Sequence, residues 1–261
     1  MSSEGSRVFL TPAEPGRTAY PIPLTVTVAN PEEGVRAGQA GRCLPELDPG
    51  VTLIETMFAR RETGARHLDR HLARLARSAQ ALGFALDRDE TIAQVGQACN
   101  ALAPGMASRL RLALAHDGRV AVTSASLPPL PDGRLAVLLD PTPLPANRPL
   151  AAHRTSSRAP HDDGVRRAEL RGAFDSLFFT QDGRLVEGGR SNVFVNLSGR
   201  WWTPPLSDGA LPGVMRGLLL EDPAWQAHER TLYLAELHHA RSLIVCNALR
   251  GAVPARMVID P

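Results

Sequence analysis

Lysine is missing from the sequence altogether: all 29 basic residues are arginine. No side chain can therefore supply a primary amine, because a guanidinium stays protonated and delocalised and is a poor nucleophile. Cysteine is scarce, and the three present (Cys43, Cys99 and Cys246) are odd in number and widely spaced. That fits neither a disulfide framework nor a zinc site. Aromatic residues make up only 5% of the chain, and the basic residues are interspersed with 27 acidic ones for a formal net charge of +2. A nucleic-acid or membrane-surface footprint needs basic charge gathered on one face, with aromatic platforms where single strands are held, so neither partner is expected. No apolar run approaches the roughly 20 residues of a membrane helix. Met1–Tyr20 also lacks the basic-then-apolar order of a secretory signal. A soluble cytoplasmic protein is the expectation.

What is present is 43% hydrophobic residues over 261 positions, enough to bury a substantial core. Residues 1–45 are rich in Gly, Pro and Glu and read as a loosely attached leader. Val51–Phe58 reads as a strand. His67–Leu82 reads as a helix, with Leu68, Leu72, Leu75, Ala76, Ala79 and Leu82 at helical spacing and Gly83 as a stop. Ala107–Ala115 and Arg119–Ser126 alternate around His116-Asp117-Gly118, a hairpin signal. Leu127–Gly133 breaks both periodicities and is the candidate linker between a smaller domain over 46–130 and a larger one over 131–261. In the second half, strands are expected at Leu135–Asp140, Asp175–Thr180, Leu185–Glu187, Val193–Asn196, Trp201–Thr203 and Ser242–Asn247. Helices are expected at Val214–Leu220, after Pro212, and at about Leu232–Ala240. Strands mixed with a few helices, without strict strand–helix alternation, predict an α+β fold.

Four segments carry a resemblance when taken in order. Leu53-Ile54-Glu55-Thr56 is followed by His71-Leu72-Ala73-Arg74-Leu75; then come Leu185-Val186-Glu187-Gly188-Gly189-Arg190-Ser191-Asn192, Leu211-Pro212-Gly213-Val214-Met215-Arg216, and Cys246-Asn247-Ala248-Leu249. Together they resemble the class IV aminotransferase family, the pyridoxal-phosphate enzymes of fold type IV, and the last segment points toward its aminodeoxychorismate lyase branch. The resemblance spans most of the chain from Val51 onward. It implies two α/β domains with the cofactor in the cleft between them, usually as a homodimer, acting on a small amino or carboxylate substrate. Arg74 would then hold the cofactor phosphate, as a guanidinium fork suits it; a solvated basic face shared with Arg70 and Arg77 is the alternative for that helix. Glu187 would pair with the pyridine nitrogen, with Ser191 and Asn192 near the phosphate. Gly213, Val214 and Met215 would offer main-chain N–H groups at a helix start, and Asn247 would bond the phosphate.

One position departs from the family. The lysine that holds the cofactor aldehyde stands four residues before an arginine, often as His-Lys-Thr-x-x-Arg, and the matching stretch here is His153-Arg154-Thr155-Ser156-Ser157-Arg158. Arg154 at that position can neither take the aldehyde nor move the Cα proton at neutral pH. Ser156 would share its face, with Arg158 beside the substrate, and His161 could reach in only if its loop folds back. The expectation is a protein related to the lyase and aminotransferase enzymes that binds pyridoxal phosphate non-covalently, if at all, with impaired or altered activity. Two alternatives stand beside it: a non-catalytic partner subunit, and a binder of anionic metabolites without cofactor.

Overall fold

In the computed structural model, residues 47–145 and 148–258 are described; the leader expected over 1–45 lies outside them. Two sheets stand on either side of Leu127–Gly133. The first is antiparallel, of order β2-β1-β3-β4, built from β1 (Leu53–Arg60), β2 (Gly64–Ala65), β3 (Ser108–Leu114) and β4 (Val120–Ser126). Alternation divides its faces. Leu53, Met57, Leu110, Leu112 and Leu114 point one way and pack beneath α1 (Leu68–Leu82) and α2 (Arg88–Asn100). Thr56 lies opposite Arg111, and Phe58 opposite Arg109, on the other face.

α1 forms where the sequence predicts it. Leu72, Leu75 and Ala79 make its buried stripe, and Gly83 closes it at φ 74 with its N–H on the Ala79 carbonyl. α2 is capped by Asp87, whose side chain accepts from the Glu90 N–H at 2.9 Å.

The second sheet has eight strands in the order β10-β9-β8-β11-β12-β5-β6-β7. These are β5 (Leu135–Leu139), β6 (Asp175–Phe179), β7 (Leu185–Gly188), β8 (Asn192–Leu197), β9 (Arg200–Thr203), β10 (Ala227–Glu229), β11 (Ser242–Asn247) and β12 (Gly251–Val258). It is mixed: β5 runs parallel to β6 and β12, and β9 parallel to β10, with the remaining pairs antiparallel. Val137, Leu177, Val193 and Val245 fill the core on one face with Leu232 and Leu237. On the other face Phe194 and Ile244 pack with Leu219 of α4 (Val214–Glu221). Fully burying a side chain such as Phe178 or Phe194 contributes about 1.5–3 kcal/mol each.

α3 (Ala159–Leu170) packs on β6. It buries only Gly164 and Ala168, and Gly164 is required there: a Cβ would sit 2.4 Å from the Phe178 ring and 2.7 Å from an Asp140 oxygen. The architecture is α+β, as the pattern of elements predicts. The helix expected over Leu232–Ala240 is shorter, only α5 (Leu234–Leu237), because Leu232 and Tyr233 instead pair with the β7 end: the Leu185 N–H donates to the Leu232 carbonyl at 2.7 Å. Among the described residues no helix is long and apolar enough to cross a membrane.

Candidate functional site

A cleft of about 570 Å³ opens between the Arg111 face of the first sheet and the Glu187 end of the second. Arg74, Arg154, Glu187, Asn192, Gly213 and Asn247 all line it, so segments scattered over more than half the chain meet around one hollow.

Arg74 reaches it from α1, where it is 5% exposed, and it alone among Arg70, Arg74 and Arg77 turns inward. Its guanidinium fork is set by Glu55 of β1: Nε donates to Oε1 at 2.8 Å and Nη2 to Oε2 at 2.5 Å, while Nη1 donates to the Pro212 carbonyl at 3.2 Å. Two of the five guanidinium N–H bonds are left over for a ligand. His71 Nδ1 lies 2.6 Å from Glu55 Oε2. Burial alone would raise the Glu55 carboxyl; the Arg74 charge, with hydrogen bonds from His71 and Arg74, overcomes it and holds the group at about 2.

The start of α4 faces the same cleft. Gly213 is its N-cap and no side chain caps it, so the first N–H groups, those of Val214 and Met215, have no acceptor among the described residues. A Cβ on Gly213 would lie 1.9 Å from Asn192 Oδ1. Asn192 is fixed in turn, its Nδ2 donating to the Leu211 carbonyl at 3.0 Å. Val214 lines the cleft, whereas the Met215 side chain packs into the core beside Phe194. An uncapped helix start flanked by an oriented guanidinium is suited to a phosphate.

Glu187 stands at the end of β7, 6% exposed. Its Oε2 accepts the Leu211 N–H at 2.9 Å, His161 Nε2 lies 3.2 Å from Oε1, and Arg148 Nη1 stands 3.9 Å from Oε1. A carboxylate has about four lone-pair sites, so it can take a further donor.

Ser191 and Asn247 also line the cleft, with side chains already engaged. Ser191 Oγ donates its one proton to Asp175 Oδ2 at 2.5 Å. Asn247 donates from Nδ2 to the Arg190 carbonyl at 3.1 Å and accepts the Arg250 N–H at 2.8 Å, which fixes the β11–β12 turn.

Arg154 is not in a strand, but its segment is stitched to β1. The Ile54 N–H donates to the Arg154 carbonyl at 2.8 Å, the Ser156 N–H to the Thr52 carbonyl at 2.8 Å, and Thr155 bridges Leu53. The Thr52 N–H donates to Ser156 Oγ at 3.0 Å, and His153 Nδ1 lies 3.0 Å from Ser78 Oγ. Burial lowers Arg154 to about 9, helped by the charges of Arg74, Arg158 and Arg111 and opposed by Glu55. It thus stays a cation at neutral pH, although part of its surface remains open to the cleft. Arg158 donates to the Gly189 carbonyl and pairs with Asp162 at 2.7 Å. Cys246, also in the lining, is buried, which pushes its thiol up to about 12.

Four contributors were not singled out as site residues from sequence. His161 lies in the first turn of α3, so no loop needs to fold back for it to meet Glu187. Arg148 sits in a proline-punctuated loop that carries no periodic signal. Arg109 and Arg111 are two apart on a strand, a spacing that puts both on one face and was legible.

The family model described as "Amino-transferase class IV" matches residues 52–258. A Schizosaccharomyces pombe protein named "Putative aminodeoxychorismate lyase" is 26% identical over 198 residues, covering 74% of this chain and 85% of its own. Among solved structures, a "putative amino-acid aminotransferase" from Mesorhizobium loti is 35% identical with a TM-score of 0.73, over 80% of this chain and 100% of that one. A "hypothetical aminotransferase" from Mycobacterium tuberculosis, in a form with alpha-ketoglutarate and PMP bound, shares the fold at 24% identity and a TM-score of 0.69, over 85% of this chain and 87% of that one.

Proposed function

The chain belongs to the class IV aminotransferase family, and we propose that it binds a pyridoxal-phosphate-type cofactor reversibly, without a covalent bond, in a cleft of the aminodeoxychorismate lyase and aminotransferase kind. The observation that carries this is the pairing of a phosphate-suited helix start with an Arg154 side chain that has no amine. The residues present fit the cofactor at two ends out of three. Arg74 and the N–H groups of Val214 and Met215 would hold the phosphate, with Asn192 and Asn247 fixing the walls. Glu187 would hold the proton of the ring nitrogen. At the third end Arg154 takes the family's lysine position, and no other side chain in the sequence offers an amine to take the aldehyde.

When bound, such a ring draws electrons from the carbon next to the substrate amine. This chain's residues orient it and shield it, but the cleft holds no lysine to carry the proton at that carbon. Turnover is then expected to fall by about 10²–10⁴ relative to a chain with that group. The substrate would be a small amino or carboxylate compound. In the wider reading, the two sheets serve as two domains over 46–130 and 131–261, and the protein works in the cytoplasm as a homodimer.

A second reading is a non-catalytic subunit that partners an active enzyme. It is favoured by the high thiol pKa of Cys246 and by the engagement of His161 with Glu187, which together leave no evident substitute for the lysine. Calorimetric titration with pyridoxamine phosphate and pyridoxal phosphate tests the leading reading. Both should bind and be removed by dialysis, and lyase and transamination assays should show weak turnover; no binding at millimolar concentration would overturn it.

A further inference from the structure

We propose that Arg154 forms a second anion site in the cleft, one that takes a carboxylate of a small metabolite in its guanidinium fork. The inference uses the cleft described above and shares with the cofactor reading only the helix start beside Arg74 as a place for an anion.

The cations and anions around the cleft can be matched one by one. Glu55 is taken up by Arg74 and His71, Asp162 by Arg158, and Glu169 by Arg190. Glu187 accepts from Leu211 and meets His161. Arg154 is left over, together with Arg109 and Arg111. Among the described residues its side chain has no hydrogen bond and no ion pair, and its Nε is buried without a partner. The charges closest in effect are Arg74, Arg158 and Arg111, all of its own sign, against the single carboxylate of Glu55, which is already paired. Arg111 likewise has no ion-pair partner among the described residues, and it lines the cleft from the face of β3.

Removing a cation from water without a counter-charge is unfavourable, yet the main chain that carries this one is tied to β1, with the Arg154 carbonyl accepting from Ile54 and the Ser156 N–H donating to Thr52. The guanidinium is left with a buried, unpartnered Nε, and an oxyanion is the group that completes it. A carboxylate fits better than a phosphate. The helix start and Arg74 already supply a phosphate site, whereas two oxygens in one plane match the parallel N–H bonds of a single fork. The class of ligand is thus a small molecule with at least two anionic groups, one of them a carboxylate.

The test is calorimetry on cofactor-free protein with succinate, monomethyl succinate and inorganic phosphate, in wild type and Arg154→Met. Succinate is expected to bind wild type more tightly than its monomethyl ester does. Arg154→Met should weaken succinate at least about tenfold while changing inorganic phosphate less than about threefold, as loss of one charge-assisted pair implies. Without any anion the variant should melt higher than wild type, since an unpaired cation has gone; Arg154→Gln supplies a second variant should the methionine not fold. Equal succinate affinity in wild type and variants, or no succinate binding by wild type, would overturn the proposal. If phosphate rather than succinate were lost, the carboxylate assignment would be wrong. Pyridoxamine phosphate titrated into the same proteins separates the readings: its failure to bind would sink the cofactor reading and leave the Arg154 result standing.

Discussion

Arg74 of α1 grips Glu55 of β1 through two nitrogens, at 2.8 and 2.5 Å, and the pair sits almost wholly out of solvent while Arg74 still borders the cleft. The carboxylate both neutralises the arginine and aims it. A buried ion pair of this kind is a doubtful source of net stability, but breaking it from one side strands a charge.

Glu55→Gln is therefore expected to destabilise the fold by about 3–5 kcal/mol, as removal of one partner of a buried pair does. The same pair sets an acid limit. The carboxyl stands near 2 when folded against an ordinary value of 4.5, so unfolding in acid takes up a proton. Its contribution is complete above about pH 4.5 and fades as pH falls toward 2, for a total of about 3 kcal/mol. Denaturant titrations across that range should show the loss in wild type and not in Glu55→Gln.

Gly213→Ala should damage the phosphate end. The added methyl carbon would lie 1.9 Å from Asn192 Oδ1, so either Asn192 or the start of α4 must shift. Pyridoxamine phosphate affinity should fall at least about tenfold, in line with loss of oriented helix-start donors; unchanged affinity by calorimetry would place the phosphate elsewhere.

Ser191→Ala is expected to act on stability more than on binding. The hydroxyl proton is given to Asp175, a buried carboxyl that burial raises and that Ser191 helps to offset. Leaving that oxygen short of a partner costs about 1–3 kcal/mol. Chemical denaturation should register the loss, while pyridoxamine phosphate affinity stays within about threefold.

The sequence disclosed elements wherever their own periodicity suffices. α1 shows a full apolar stripe, and the β3–β4 hairpin alternates around His116-Asp117-Gly118. α2 was not legible because it buries only Thr91, Val95 and Cys99, too thin a stripe to stand out. α3 was hidden for a sharper reason: its buried face is only Gly164, which the Phe178 ring keeps small, and Ala168, and its first turn carries Pro160 and His161, which read as loop. β12 contains Gly251 and Pro254, and its parallel partner β5 lies over a hundred residues away. Within the site, the motif residues could be named from sequence. The Glu55–Arg74 and His161–Glu187 contacts could not, since they depend on how distant elements pack.

Arg154→Lys should place an amine on the segment stitched along β1. Added pyridoxal phosphate is expected to give a yellow species absorbing at roughly 410–430 nm, a generic property of the amine-bound cofactor, and borohydride should then fix it to residue 154. A colourless variant that still binds pyridoxamine phosphate would show that the segment aims its side chain away from the cofactor.

The most direct measurement is the same chemistry on the wild-type chain. Saturated with pyridoxal phosphate, reduced with borohydride and mapped by mass spectrometry, it should show reversible binding before reduction and no residue within the chain bearing the cofactor mass afterwards. A stable adduct on an internal residue would contradict the account, because it would mean that this cleft grips the aldehyde by a group other than lysine.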